Sequence, residues 1–201
     1  MPIVESYTYV VAIDTSGSVV SGSGAAALKN PSVLLQKFVV ELLGAIAVGV
    51  SQQKQINLLM VYWNHSANSV KAGMLVMNRQ VPAEQIVNMI FSAIEISDGG
   101  TDFSCIAKFF ADPGWMARVV DVNKNRPINI RTLQTLVSKI VQVIILTDGM
   151  IEPNPVYVRQ IGQAKIEPSQ ILIGLPKPPL GTSEHFKNNP NIQIGWIDIN
   201  K

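Results

Sequence analysis

Short apolar runs alternate with stretches of helical periodicity along most of this chain. Residues 7–13 (YTYVVAI) are β-branched and aromatic, and the run stops at an acidic residue, Asp14. Residues 56–63 (INLLMVYW), 141–146 (VQVIIL), 170–175 (QILIGL) and 192–197 (IQIGWI) have the same character. Nearly continuous apolar runs of this length suit strands covered on both faces, as the strands of parallel sheets are. Residues 72–77 follow the second run after a polar turn at 64–69, and are expected to pair back antiparallel at an edge. Between the runs, Asn30 and Pro31 supply an N-cap and a first-turn proline, a helix-start signature. Leu34, Leu35, Phe38, Leu42, Leu43 and Ile46 then recur at helical spacing, and Ile86, Ile90 and Ile94 form a second stripe after Pro82. Residues 102–111 and 155–164 are shorter helical candidates, with one more at 131–140. Alternating strand and helix predicts an open α/β sheet with helices on both faces.

Composition narrows the class further. At 201 residues with 47% apolar and 15% charged side chains and a mean hydropathy of +0.25, the chain has the make-up of a packed domain, not of a disordered one. It is expected to form one domain over residues 1–201, with insertions at 19–30 and 113–140. The net charge of +2 is too small a surplus to predict a nucleic-acid or membrane-surface partner. The longest apolar stretch, 33–50, is interrupted by Gln36, Lys37 and Glu41, whereas a membrane span needs about 20 apolar residues in a row. With a single cysteine, Cys105, an internal disulfide and a four-thiolate zinc site are both excluded. No targeting segment is read at the start, so a cytoplasmic location is expected.

In open α/β sheets the functional face lies at the carboxyl ends of the strands. There the sequence places three polar stretches: Asp14-Thr15-Ser16-Gly17-Ser18 after the first run, Gly99-Gly100-Thr101-Asp102, and Thr147-Asp148-Gly149 after residues 141–146. All three supply hydroxyl or carboxylate oxygens, and a Ser-x-Ser spacing puts both hydroxyls on one side of an extended or turning loop. Oxygen ligands with few carboxylates favour a hard divalent cation such as Mg²⁺, which keeps part of its water shell and so leaves a position for an external group. Asp14 and Asp148 would supply charge to it, directly or through water.

The DTSGS of residues 14–18, the threonine of GGTD and the aspartate of LTDG resemble the metal-ion-dependent adhesion site of von Willebrand factor A-type domains, in order and in strand position. The resemblance covers nearly the whole chain. It implies a Rossmann-like, doubly wound, mostly parallel sheet with one antiparallel edge strand and a divalent ion, Mg²⁺ or Mn²⁺, on its upper face. It further implies Ser16, Ser18 and Thr101 as hydroxyl ligands, Asp14 and Asp148 as carboxylates acting mainly through bound water, and a partner protein's Asp or Glu in the open position. Some stand-alone relatives work with an AAA+ ATPase, which makes such a partner an expectation by analogy. The segments at 19–30 and 113–140 are longer than the family's usual connections, and both are expected where they could crown the metal face.

Other chemistries meet specific obstacles. Gly22, Gly24 and Ala27 match a GxGxxA dinucleotide pattern, but too far beyond the strand end, where Asp14 would repel a pyrophosphate. There is no Gly-Lys-Ser/Thr phosphate loop and no His-Glu-x-x-His. A haloacid-dehalogenase-type phosphatase would need an aspartate where Ser16 stands. Cys105 reads as a buried thiol and not a nucleophile, Asp102 as a helix cap, His65 as a polar turn residue at the strand end, and His185 as surface. Arg118, Lys124, Arg126 and Arg131 read as a solvated face. The expected function is therefore a non-enzymatic, cation-dependent protein-interaction module. The alternatives are a structural assembly subunit in which the metal is incidental, and a metal-assisted phosphoester hydrolase.

Overall fold

The computed structural model describes residues 5–16, 54–66, 68, 70–77, 82, 85–86, 88–89, 100, 102, 104–147, 171–177 and 193–198. The helices predicted at 30–46 and 155–164 and the insertion at 19–30 lie outside the described residues. Within the second predicted stripe, Gln85, Ile86, Asn88 and Met89 are helical.

The apolar runs become strands of a single sheet, joined by two short strands that no run announced: β1 (Glu5–Asp14), β2 (Lys54–Trp63), β3 (Lys71–Met77), β4 (Val119–Asp121), β5 (Arg126–Pro127), β6 (Ile140–Leu146), β7 (Ile171–Lys177) and β8 (Gln193–Asp198), with β4 and β5 the unannounced pair. Their order across the sheet is β5-β4-β3-β2-β1-β6-β7-β8. Strands β2, β1, β6, β7 and β8 run parallel, and β3 is antiparallel to β2. The reason lies in the connection. Only residues 64–70 separate β2 from β3, fewer than the dozen or so that a parallel crossover needs.

The antiparallel strand expected at the edge is present, and the sheet continues past it. Strand β4 adds to β3 in parallel and β5 turns back on β4, through a turn in which Asn125 takes a left-handed φ of 48°, a conformation that asparagine tolerates better than most residues. Two residues beyond β4, the Asn123 side chain finishes the pairing. Its Oδ1 accepts from the Val76 N–H at 2.9 Å and its Nδ2 donates to the Val76 carbonyl at 3.2 Å.

Burial explains why the central strands are apolar on both sides. On one face, Val10 and Ala12 of β1, Leu59 and Val61 of β2, Met74 of β3 and Val143 of β6 pack in one cluster with two helices, α1 (Ser104–Ala111) and α2 (Ile130–Val137). On the other face Val11, Ile13, Leu58, Met60 and Ile144 are buried as well. Both faces are thus covered, and α1 and α2 lie on the first. Trp115, in a 3-10 turn at Trp115–Arg118, ties residues 113–140 to α1, with its ring 4.8 Å from Phe110. Arg118 is not simply solvated. Its guanidinium lies over the Phe109 ring at 4.5 Å and pairs with Asp112 at 2.9 Å.

Helix α2 starts where Asn129 caps it, the side-chain oxygen accepting from the Arg131 and Thr132 N–H groups, and it ends three residues before the predicted 140. The chain must leave it there because Lys139 already bonds to β1 and Ile140 opens β6. Thr8 receives it: the Thr8 N–H donates to the Lys139 carbonyl at 3.0 Å, and the Thr8 hydroxyl donates to the Leu136 carbonyl at 2.6 Å. Residues 113–140 therefore do not crown the carboxyl ends as expected. They lengthen the sheet sideways and lay α2 along its face towards the opposite end of β1. Replacing Thr8 by the similarly shaped valine removes this buried hydrogen bond, while the Leu136 carbonyl keeps the Lys139 N–H at 3.1 Å, so the cost is that of one hydrogen bond, about 0.5–1.5 kcal/mol. Urea unfolding of Thr8→Val should show that loss as a lower midpoint with an unchanged slope.

Candidate functional site at the carboxyl ends of the parallel strands

Strand β1 sits between β2 and β6, so the chain leaves it for one neighbour and later returns on the other side. In sheets of this kind, the crevice at such a reversal is where ligands bind. Asp14 ends β1 there. Its carboxylate is 1% exposed, as is Ser16. The Ser16 N–H donates to Asp14 Oδ1 at 2.8 Å, and the Thr147 hydroxyl donates to Asp14 Oδ2 at 2.8 Å.

Register accounts for the second bond. Strand β6 pairs Ile145 with Ala12 and Leu146 with Ile13, so one further step brings Thr147 beside Asp14. In the sequence Thr147 reads as part of a strand-end turn and not as a residue of the site. The available signal was its place immediately after a buried parallel run.

The end of β2 is tied to the same place. Thr15 donates to the Trp63 carbonyl twice, from its N–H at 2.9 Å and from its hydroxyl at 3.0 Å. The Asn64 carbonyl accepts from the Asp102 N–H at 2.9 Å and from Cys105 Sγ at 3.4 Å. Gly100 lies against His65, close enough that a Cβ there would meet the His65 Cβ at 3.5 Å. Residues 14–16, 64–65, 100, 102 and 147 therefore converge on one end of the sheet. Of the predicted ligands, Asp14 and Ser16 are placed there, while Ser18, Thr101 and Asp148 lie outside the described residues.

Electrostatics separate the neighbours. Asp102 caps α1 as expected, its Oδ1 accepting from the Ser104 N–H at 2.9 Å. That hydrogen bonding to Ser104, helped by Lys108, holds its carboxyl below the ordinary range. Because the folded value is the lower one, this contribution is present above the unfolded pKa and is lost as pH falls through the folded one. Cys105 is pushed up to about 12, chiefly by burial, so at neutral pH it is a thiol donor and not a thiolate. His65 is exposed at the rim.

In kind, the described donors suit a hard divalent cation: Asp14 and Ser16 offer carboxylate and hydroxyl oxygens, and no soft ligand lies among them. Two donors do not make an octahedral shell, and the remaining protein oxygens would come from Ser18, Thr101 and Asp148. Among the described residues no group of three or more His, Cys, Asp or Glu side chains gathers, and no described helix is long and apolar enough to cross a membrane.

No family model and no curated protein matches the chain. Among solved structures, it is similar to the conserved hypothetical protein BatB from Bacteroides thetaiotaomicron, at 12% identity and a TM-score of 0.42, over 85% of this chain and 65% of that one. It is also similar to proximal thread matrix protein 1 from the mussel byssus, again at 12% identity and a TM-score of 0.42, over 98% of this chain and 43% of that one. The chain thus spans less than two thirds of either neighbour, and likeness at this level bears on neither activity nor partner.

Burial of the Cys105 thiol has a direct chemical consequence. Iodoacetamide at pH 8 should leave the native protein unlabelled and modify it fully in denaturant. Rapid native labelling would show that the loop on the Asn64 carbonyl opens.

Proposed function

We propose that this chain is a non-enzymatic, cation-dependent protein-interaction module, with Mg²⁺ or Mn²⁺ held at the carboxyl end of β1. Ser16, Ser18 and Thr101 would hold the ion through their hydroxyls, with Asp14 and Asp148 acting mainly through water. When bound, the ion supplies an electrophilic position able to accept a carboxylate oxygen from a partner's Asp or Glu. The observation that carries the reading is the buried, doubly hydrogen-bonded Asp14 carboxylate at the reversal point of the sheet, with Ser16 beside it.

What the chain's own residues do follows from their placement. The Ser16 N–H and the Thr147 hydroxyl set the direction of the Asp14 carboxylate. The two bonds from Thr15 to Trp63 fix the loop that leaves β1. The Asn64 carbonyl anchors the segment before α1, so that residues on either side of position 101 are held near the same end of the sheet. Nothing among these groups is an activated nucleophile with a base beside it, and this supports a binding role over a hydrolytic one. An acidic partner segment, including one from an AAA+ ATPase, would meet this end.

A cation bound only by the folded state stabilises it by mass action, by about 2.7 kcal/mol at a hundred times its Kd. Thermal unfolding should therefore move upward with added Mg²⁺ or Mn²⁺ and return with EDTA. In Asp14→Ala the shift should vanish and calorimetry should record no binding. Equal cation binding by Asp14→Ala and the wild type would refute the assignment.

A further inference from the structure

We infer that Thr147 is a positioning residue for the cation site, its hydroxyl fixing the Asp14 carboxylate in the orientation the site needs; the inference rests on the cation-dependent function proposed above. Thr147 is 0% exposed, and its Oγ1 reaches Asp14 Oδ2 at 2.8 Å across 133 residues of sequence. The Ser16 N–H holds the other oxygen, Oδ1, at 2.8 Å.

A carboxylate held through one oxygen can still twist about the bond that carries it. Held through both, by donors from two different segments, it cannot twist without breaking one of them. One donor is the Ser16 N–H, only two residues along the chain from Asp14 itself. The other belongs to the end of β6, and the register Ala12–Ile145 and Ile13–Leu146 makes that end a continuation of the sheet. Thr147 is therefore the half of the pair that refers the orientation of Asp14 to a neighbouring strand, and so to the sheet itself. Sites work when the groups touching the ligand are locked by partners of this kind. Serine keeps the donor and loses a methyl group, whereas valine keeps the shape and loses the donor, so the two substitutions separate the hydroxyl from the packing.

The test titrates the full-length wild type, Thr147→Val, Thr147→Ser and Asp14→Ala with Mn²⁺, following free Mn²⁺ by electron paramagnetic resonance, and records the thermal unfolding of each in EDTA. Thr147→Val is expected to bind about 10- to 100-fold more weakly, the usual cost of losing a group that orients a ligand, and Thr147→Ser to bind as the wild type does. A merely structural Thr147 would lower the unfolding temperature of Thr147→Val in EDTA and leave its Mn²⁺ affinity unchanged, which overturns the proposal. A tenfold loss in Thr147→Ser also overturns it, and that arm remains readable if the valine variant does not fold. Wild-type affinity in Thr147→Val beside no binding in Asp14→Ala removes only the role of Thr147. Wild-type affinity in Asp14→Ala removes the cation site, and the role of Thr147 with it.

Discussion

Burying the Asp14 carboxylate constrains everything at the carboxyl end of this sheet. A carboxylate taken out of water costs several kcal/mol unless hydrogen bonds replace its hydration. Two replacements come from separate parts of the chain, the Ser16 N–H and the Thr147 hydroxyl, and hydrogen bonds to a charged group are each worth about 1.5–3 kcal/mol. The second exists only if β1 and β6 keep their register to the last pair. A slip of one residue would turn the side chains of β6 to the opposite face, and Thr147 with them. The irregularity in this pairing falls at the far end, between Thr8 and Tyr9, where the partner moves from Ile140 to Gln142. From Tyr9 to Ile13 the register then runs without interruption.

The two ends of β1 thus divide the work. At the amino end, Thr8 closes the terminus of α2, and the buried Asn57 donates to Ser6 Oγ, the Tyr7 carbonyl and Thr8 Oγ1. These bonds are structural, and they fix where β6 begins. At the carboxyl end, polar side chains of β1 and of the residues after β2 and β6 meet at the reversal point. The same strand runs between them, in unbroken register with β6 from Tyr9 to Ile13.

Much of this was legible in the sequence, for physical reasons that differ by element. The runs at 7–13, 56–63, 141–146, 170–175 and 192–197 announced β1, β2, β6, β7 and β8; for the central β1 and β2 the reason is that strands buried on both faces must be apolar throughout. The short polar turn before residue 72 gave away the antiparallel direction of β3. Strands β4 and β5 were not legible, because Val119–Asp121 and Arg126–Pro127 are too short to show any period, and their pairing depends on long-range contacts with β3. Within the site, Asp14 and Ser16 stood out as polar residues after a buried run. Thr147 shares that position after a buried run, but only the register shows that its hydroxyl falls opposite Asp14. Arg118 read as surface because nothing in the sequence foretells that Phe109 comes beneath it.

The long segment at 113–140 bears on how the carboxyl end could work. An open sheet edge invites pairing with another chain, and β3 would present one. Strand β4 covers it as far as Met74, the Val122 N–H takes the Met74 carbonyl at 3.0 Å, and the Asn123 amide takes both backbone groups of Val76. The outermost strand on that side is then β5, two residues long and ending in Pro127, which has no N–H to offer a further strand. The segment is consumed in closing an edge and buttressing one face, with Trp115 and Arg118 holding it against α1. It does not reach over Asp14. In a cation-dependent contact, recognition of the partner would consequently fall to residues that follow β1 and β6 in the sequence and to the rim near His65, while the insertion serves the rigidity of the sheet beneath them.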